Sequence, residues 1–194
     1  DCSALLRKKS NRLYDLHYQR KLNQHILERI RSQNIDTHLV SDYHLNAWAT
    51  LKEFDEVLLC DTGSCDRTLE IGAAFPNVRI EKLCFTGFGP THNEASSLAK
   101  HDWIFSLDSD EILSPALLEE LRHVPLRLGM VASVPRKNFY RGKWIWGCGW
   151  YPDRVVRLYN RRETEFSSAQ VHEAVQCAGL HVHPLQSPLF HYSY

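Results

Sequence analysis

The run Trp103-Ile-Phe-Ser-Leu, followed at once by Asp108-Ser-Asp110-Glu111, constrains this chain more than any other stretch. A short apolar run reads as a buried strand. Carboxylates at the carboxyl end of such a strand stand at the rim of an open sheet, where α/β proteins bind ligands. Asp108 and Asp110 are two residues apart, so an extended chain puts them on one face. Two hard oxygen donors on one face suit Mg²⁺ or Mn²⁺ holding a diphosphate. The same residues also read as a plain strand followed by a helix cap, because Ser114-Pro115 opens the next helix well. Asp-x-Asp by itself does not choose between the two.

The flanking segments repeat the strand-then-helix alternation. Glu56-Val-Leu-Leu-Cys60 is a second buried strand, ending in the polar turn Asp61-Thr-Gly-Ser-Cys-Asp66. Gly63 permits unusual backbone angles there, and Asp66 or Ser64 is placed to cap a helix over 67–74. Strand, glycine turn and helix make a site where backbone N–H groups and a carboxylate meet a nucleotide; the plain alternative is a capped turn. Further strands are expected over 78–85, 130–135, 153–159 and 171–175, with helices over 44–54, 93–100 and 114–124 and a loop at 87–90. The order predicts an α/β sheet with crossover helices. Residues 136–159 are dense in aromatics and glycine, either a wall that stacks on sugar rings or a satellite core under a loop.

Composition narrows the function. A formal net charge of zero excludes the basic excess of a nucleic-acid binder. No apolar run reaches membrane-spanning length. The six cysteines form no Cys-x-x-Cys pair, and Cys60 and Cys84 sit in strand-like runs as buried free thiols, so a reduced, cytoplasmic protein is expected. Residues 3–33 read as a basic amphipathic helix, packed on the domain or resting on an anionic membrane surface.

Taken in order, several pieces resemble the family 2 glycosyltransferases, in particular the bacterial branch that builds the lipopolysaccharide core. They are Phe54-Asp-Glu-Val-Leu-Leu-Cys-Asp-Thr-Gly-Ser-Cys-Asp-Arg-Thr68, Gly87-Phe-Gly89, His92-Asn93, the stretch from Asp102 to Glu111, Pro135-Arg-Lys-Asn-Phe139, Gly149-Trp-Tyr-Pro-Asp153, Val171-His-Glu173 and His191-Tyr-Ser-Tyr194. The resemblance implies a GT-A fold, with a mixed, mainly parallel sheet and flanking helices. It also implies a nucleotide-sugar donor, most simply a UDP-sugar, a divalent metal, and inverting transfer to a lipopolysaccharide-core or other lipid-linked glycan, with contact to the inner membrane face.

By position, Asp61 resembles the carboxylate that meets the nucleoside, with Gly63, Asp66 and Asn93 around the donor. Asp108 and Asp110 resemble the metal–diphosphate motif, Asp110 being the expected direct ligand, and His191 the late histidine that joins it. Inverting transfer needs one carboxylate to take the acceptor proton. Asp153 is the first candidate and Glu173 the second; an ion pair of Asp153 with Arg154 or Arg157 is the structural alternative. Arg154, Arg157 and Lys137 are candidates to hold phosphate-bearing groups.

The family's opening strand should fall at residues 31–40, and Arg-Ser-Gln-Asn-Ile-Asp-Thr-His-Leu-Val does not read as one. The expectation is therefore an atypical basic segment at 1–43 and a GT-A domain at 44–194, clipped at its carboxyl end, with an exposed sheet edge. Where a lysine commonly precedes the family's asparagine, His92 stands here. Two other functions compete: a GT-A-like domain that has lost catalysis and binds nucleotide weakly or serves a protein partner, and a metal-dependent phosphohydrolase built on the Asp-x-Asp pair.

Overall fold

The computed structural model of the chain describes residues 35–40, 50–140, 143–147, 150–169 and 172–193. The basic helix expected over 3–33 lies outside them, as do Gly149, Val171 and most of the helix expected over 44–54.

Ten strands form one sheet. In chain order they are β1 (Ile35–Val40), β2 (Glu56–Asp61), β3 (Val78–Lys82), β4 (Trp103–Asp108), β5 (Glu111–Leu113), β6 (Met130–Tyr140), β7 (Lys143–Trp144), β8 (Asp153–Asn160), β9 (His181–Pro184) and β10 (Leu189–Ser193). Across the sheet the order is β3-β2-β1-β4-β8-β6-β10-β5, with β7 and β9 also pairing with β6. The β3-β2-β1-β4 half is wholly parallel. The other half is mixed: β8 runs antiparallel to β4 and β6, β10 runs parallel to β6, and β5 antiparallel to β10. Among the described residues, three complete helices connect the strands: α1 (Thr68–Ala73), α2 (Phe88–Leu98) and α3 (Pro115–His123).

Alternate residues of the strands serve two cores, as the period of two requires. Val57, Leu59, Phe105 and Leu107 pack with Leu117, Leu118 and Leu121 of α3 on one face. Leu58, Cys60, Ile104 and Tyr159 pack with Ala95 of α2, Phe166 and Val175 on the other. Each fully buried Leu, Ile or Phe contributes about 1.5–3 kcal/mol. Covering both faces suits a parallel sheet and explains why β2 is buried along its whole length.

Four expectations are corrected. The opening strand is present: Ile35–Val40 lies between β2 and β4 and pairs in parallel with both, Thr37 opposite Val57 and Phe105. Side-chain hydropathy hides it, because what places it is backbone pairing. Facing edges of β2 and β4 each carry N–H and C=O groups that only an inserted strand satisfies. The boundary expected at 43/44 therefore cuts off a strand of the sheet. Next, α2 begins five residues before the expected Asn93. Gly87 precedes it with φ 119°, and Pro90 sits in the first turn, where a missing N–H costs nothing. Third, 172–174 are irregular rather than extended, with only a bridge from Val175 to Phe166. Last, β3 stops at Lys82, which leaves Cys84 exposed.

Candidate functional site

Chain direction puts the carboxyl ends of β1, β2 and β4 on one rim. At the end of β2, the Asp61 carboxylate accepts the Ser64 N–H at 2.9 Å across the turn that Gly63 makes with φ 123°. Burial works to raise the Asp61 carboxyl, but bonds from Ser64 and the Gly63 backbone hold it below the ordinary carboxylate range. The Asp66 carboxylate accepts the N–H of Thr68, the first residue of α1, at 2.9 Å, so Asp66 and not Ser64 bonds the start of the helix, one residue before Arg67 at its N-cap position. These residues stand one strand away from the Asp-x-Asp end, with β1 between.

At the end of β4 the two aspartates diverge. Asp110 meets His191 of β10, Oδ2 to Nε2 at 3.1 Å. The other ring nitrogen of His191 lies 2.6 Å from Asn138 Oδ1, and Asn138 Nδ2 donates to the Trp150 carbonyl at 2.9 Å. With its amide so oriented, Asn138 is the acceptor, and Nδ1 of His191 carries the proton. In the neutral ring Nε2 is then a lone pair facing a carboxylate oxygen, two donors that a cation could bridge.

Asp108 turns the other way, to Arg157 of β8. Ala132 pairs with Leu158 and Ser133 with Val156, so Arg157 is the extra residue of a β-bulge. Bulges re-aim side chains beside sites, and this one carries a buried guanidinium to Asp108 and to Glu111, 2.6 Å away. Glu111 Oε2 also accepts the Asp108 N–H at 3.1 Å. Complete burial pushes the Glu111 carboxyl up to about 7 against the pull of Arg157. Burial also disfavours charge on Asp108, yet Arg157 and His92 hold its carboxyl below the usual range.

A cavity of about 280 Å³ opens here, lined by Phe88, His92, Asp108, Ser109, Asp110, Glu173 and His191. His92 is buried, stacks on Phe166 at 4.4 Å, and burial lowers it to about 4, so it is neutral at pH 7. A second cavity, about 490 Å³, shares Asp108 and Glu173 with the first and is lined also by Arg136, Arg154, Arg157 and His172. A third, of about 400 Å³ around Arg161–Glu165, lies at the opposite end of the sheet, where β8 finishes and β4 begins.

The structure thus gathers Asp108, Asp110, His191 and Glu173. Among the described residues, Glu173 has no hydrogen-bonding or charged partner, and it follows His172, whose φ is +60°. The first candidate base, Asp153, lines neither cavity, and Arg136 grips it at 2.8 and 2.6 Å. Its expected partners Arg154 and Arg157 are not the ones it takes. Asn93 is also elsewhere: its amide donates to the Phe166 carbonyl and accepts the Phe166 N–H, tying α2 to the segment that leads to Glu173. Gly89 works at the same seam, where a Cβ would lie 1.9 Å from the Ser167 carbonyl oxygen. Sequence reasoning missed His92 and Asn138 as site residues; the signal for His92 was its place beside Asn93 in the quoted motif.

Comparison with known proteins agrees with this architecture. The model of the glycosyl transferase family 2 matches residues 19–178. An uncharacterized glycosyltransferase of Rickettsia bellii is 30% identical over 70 residues, 36% of this chain and 24% of its own length. The crystal structure of S. aureus TarS 1–349 in complex with UDP-GlcNAc superposes with a TM-score of 0.60 at 15% identity, over 83% of this chain and 59% of TarS 1–349. The complex with UDP gives 0.59, over 82% and 60%. The chain therefore spans about three fifths of these solved chains and a quarter of the curated relative, and at such identity the superposition speaks for the fold, that of the GT-A enzymes. With the family match covering β1 through the second cavity's wall, the chain belongs to glycosyl transferase family 2.

Proposed function

We propose that the chain transfers a sugar from a UDP-sugar to a hydroxyl of a lipopolysaccharide-core or other lipid-linked glycan, inverting the anomeric carbon with the help of a divalent metal. The observation that carries this reading is the shared wall of the two cavities. Asp110 and His191 stand on one side of it, and Glu173, a carboxylate without a partner among the described residues, is common to both. The solved relatives bound to UDP and UDP-GlcNAc support the donor class. The ordered motif set supports the acceptor class. No helix among the described residues is long and apolar enough to cross a membrane; contact with a membrane face rests on the basic residues 3–33.

Asp110 Oδ2 and His191 Nε2 fit a metal. Their 3.1 Å separation is close to the roughly 3 Å between neighbouring ligands of an octahedral ion bound at about 2.1 Å. Among the described residues no third His, Cys, Asp or Glu joins them, so a metal held here would draw its remaining ligands from diphosphate and water, as Mg²⁺ commonly does. When bound, the metal neutralises charge on the leaving diphosphate. Asn138 fixes the His191 ring, and Arg157 keeps Asp108 ionised beside the cavity. Glu173 takes the proton of the attacking hydroxyl; Asp153, committed to Arg136, serves as a structural ion pair.

The competing non-catalytic reading drew on a missing first strand, and β1 removes that motive. The test is a thermal-shift titration with UDP, with and without Mn²⁺, followed by turnover of UDP-sugars. UDP and Mn²⁺ together are expected to raise the melting point by mass action, and Asp110→Ala to abolish the metal-dependent part. Glu173→Gln is expected to lose at least about 100-fold in turnover with UDP binding kept, and Asp153→Asn to lose far less. The reverse ranking would return the base to Asp153, and full activity in Asp110→Ala would sink the metal assignment.

A further inference from the structure

Three cations stand out in the sequence as holders of a phosphate-bearing group, and the structure separates them. The Lys137 ammonium is caged over Trp146 at 4.3 Å and Trp144 at 4.9 Å. Arg157 is committed to Asp108 and Glu111. Arg154 differs from both. It is exposed, and among the described residues no carboxylate pairs with it. Its Nη1 donates to the Leu185 carbonyl at 2.9 Å and, at the limit, to Ser133 Oγ at 3.5 Å. Anchored at that corner, the guanidinium keeps its Nε–Nη2 edge without a partner among the described residues. That edge is the planar fork that matches a carboxylate or a phosphate with two parallel N–H···O bonds.

Arg154 lines the cavity of about 490 Å³ that shares Asp108 and Glu173 with the Asp110 cavity. Its volume lies within the roughly 300–1,000 Å³ of small-molecule sites. The other charges of this wall are already matched: Arg136 with Asp153, and Arg157 with Asp108 and Glu111. What remains on this wall, among the described residues, is one free guanidinium edge and one free carboxylate. We propose that the acceptor sugar carries an anionic group, a carboxylate or a phosphate, which docks on the Nε–Nη2 edge of Arg154 while its reacting hydroxyl lies at Glu173. This rests on the transferase reading above and names the acceptor's chemistry.

The test uses methyl glucoside, methyl glucuronide and methyl glucoside 6-phosphate, with the galacto series beside them, as probes for the protein alone and loaded with UDP and Mn²⁺. Affinities come from ligand-observed NMR. The parent is expected to bind at least one anionic probe about tenfold or more tighter than its neutral counterpart. Which anion wins identifies the group. Arg154→Gln erases that preference, and Arg154→Lys, which keeps the charge without the fork, retains part of it. Equal affinity for neutral and anionic probes in the parent overturns the proposal, as does an undiminished preference in Arg154→Gln. UDP binding followed in the same samples keeps the two readings apart. Anion preference without UDP binding refutes the transferase reading and leaves the anion subsite standing; UDP binding without anion preference refutes the subsite alone.

Discussion

The two rims of the site hold their carboxylates by different means. At the end of β2, Asp61 and Asp66 are fixed by backbone N–H groups three and two residues further along the chain. At the end of β4, Asp108 is held by a guanidinium 49 residues away and Asp110 by an imidazole 81 residues away. The first rim belongs to the parallel half and is built by local turns. The second is assembled only when β8 and β10 dock beside β4 and β6. The lesson is one of division of labour: a turn positions an acid by its own backbone, whereas the acids at the end of β4 are aimed by side chains from across the sheet.

Arg157→Met should break that contrast most strongly. It removes the nearest countercharge of buried Glu111 and of Asp108, leaving Glu111 only Arg136 at 3.7 Å, at a cost of about 3–5 kcal/mol, measured by urea denaturation. A loss under about 1 kcal/mol would mean that the remote clamp is dispensable and that both rims are local after all. Asn138→Leu comes next. It frees the His191 ring while adding no charge, and Mn²⁺-dependent UDP binding should weaken about 10- to 100-fold. Unchanged metal dependence would show that the ring is aimed by something other than Asn138. The smallest effect is reserved for a local device. Ser114 caps α3 through its bond to the Leu117 N–H at 3.1 Å, and Ser114→Ala should cost about 1 kcal/mol of stability and nothing in UDP affinity. A drop in UDP affinity would show that local caps reach the site as well.

The same divide governs what the sequence made legible. Asp66 bonding the start of α1, Ser114 as a cap, β4 running into its carboxylates, and the two-faced strands β2 and β4 all follow from contacts within a few residues, which spacing and turn chemistry report. β1 was illegible because its place comes from pairing with β2 and β4, and backbone pairing leaves no mark on Asp36, Thr37 and His38 as a string of letters. The bulge at Arg157 arises from register against β6, so nothing in Asp153-Arg-Val-Val-Arg-Leu-Tyr announces which arginine turns inward. Asp153 read ahead of Glu173 in the motif set. Only the fold tells that Arg136 has taken the first and left the second open. Asn93 was legible as part of a motif, while its duty toward Phe166 was not, since the two are 73 residues apart.

The seam at Gly89 has a consequence for how the putting-together of the site can be dissected. With hydrogen as its side chain, this residue lets α2 ride against the Ser167 carbonyl; a methyl group there would sit 1.9 Å from that oxygen. The strand of backbone being pushed is the one that runs on to Glu173. Gly89→Ala is thus a spacer. It is expected to push back the Ser167 backbone and with it the segment leading to Glu173, the proposed base, whose own side chain it leaves unchanged. Placement and chemistry, usually lost together when a residue is replaced, become separable here at a position outside the lining of both cavities.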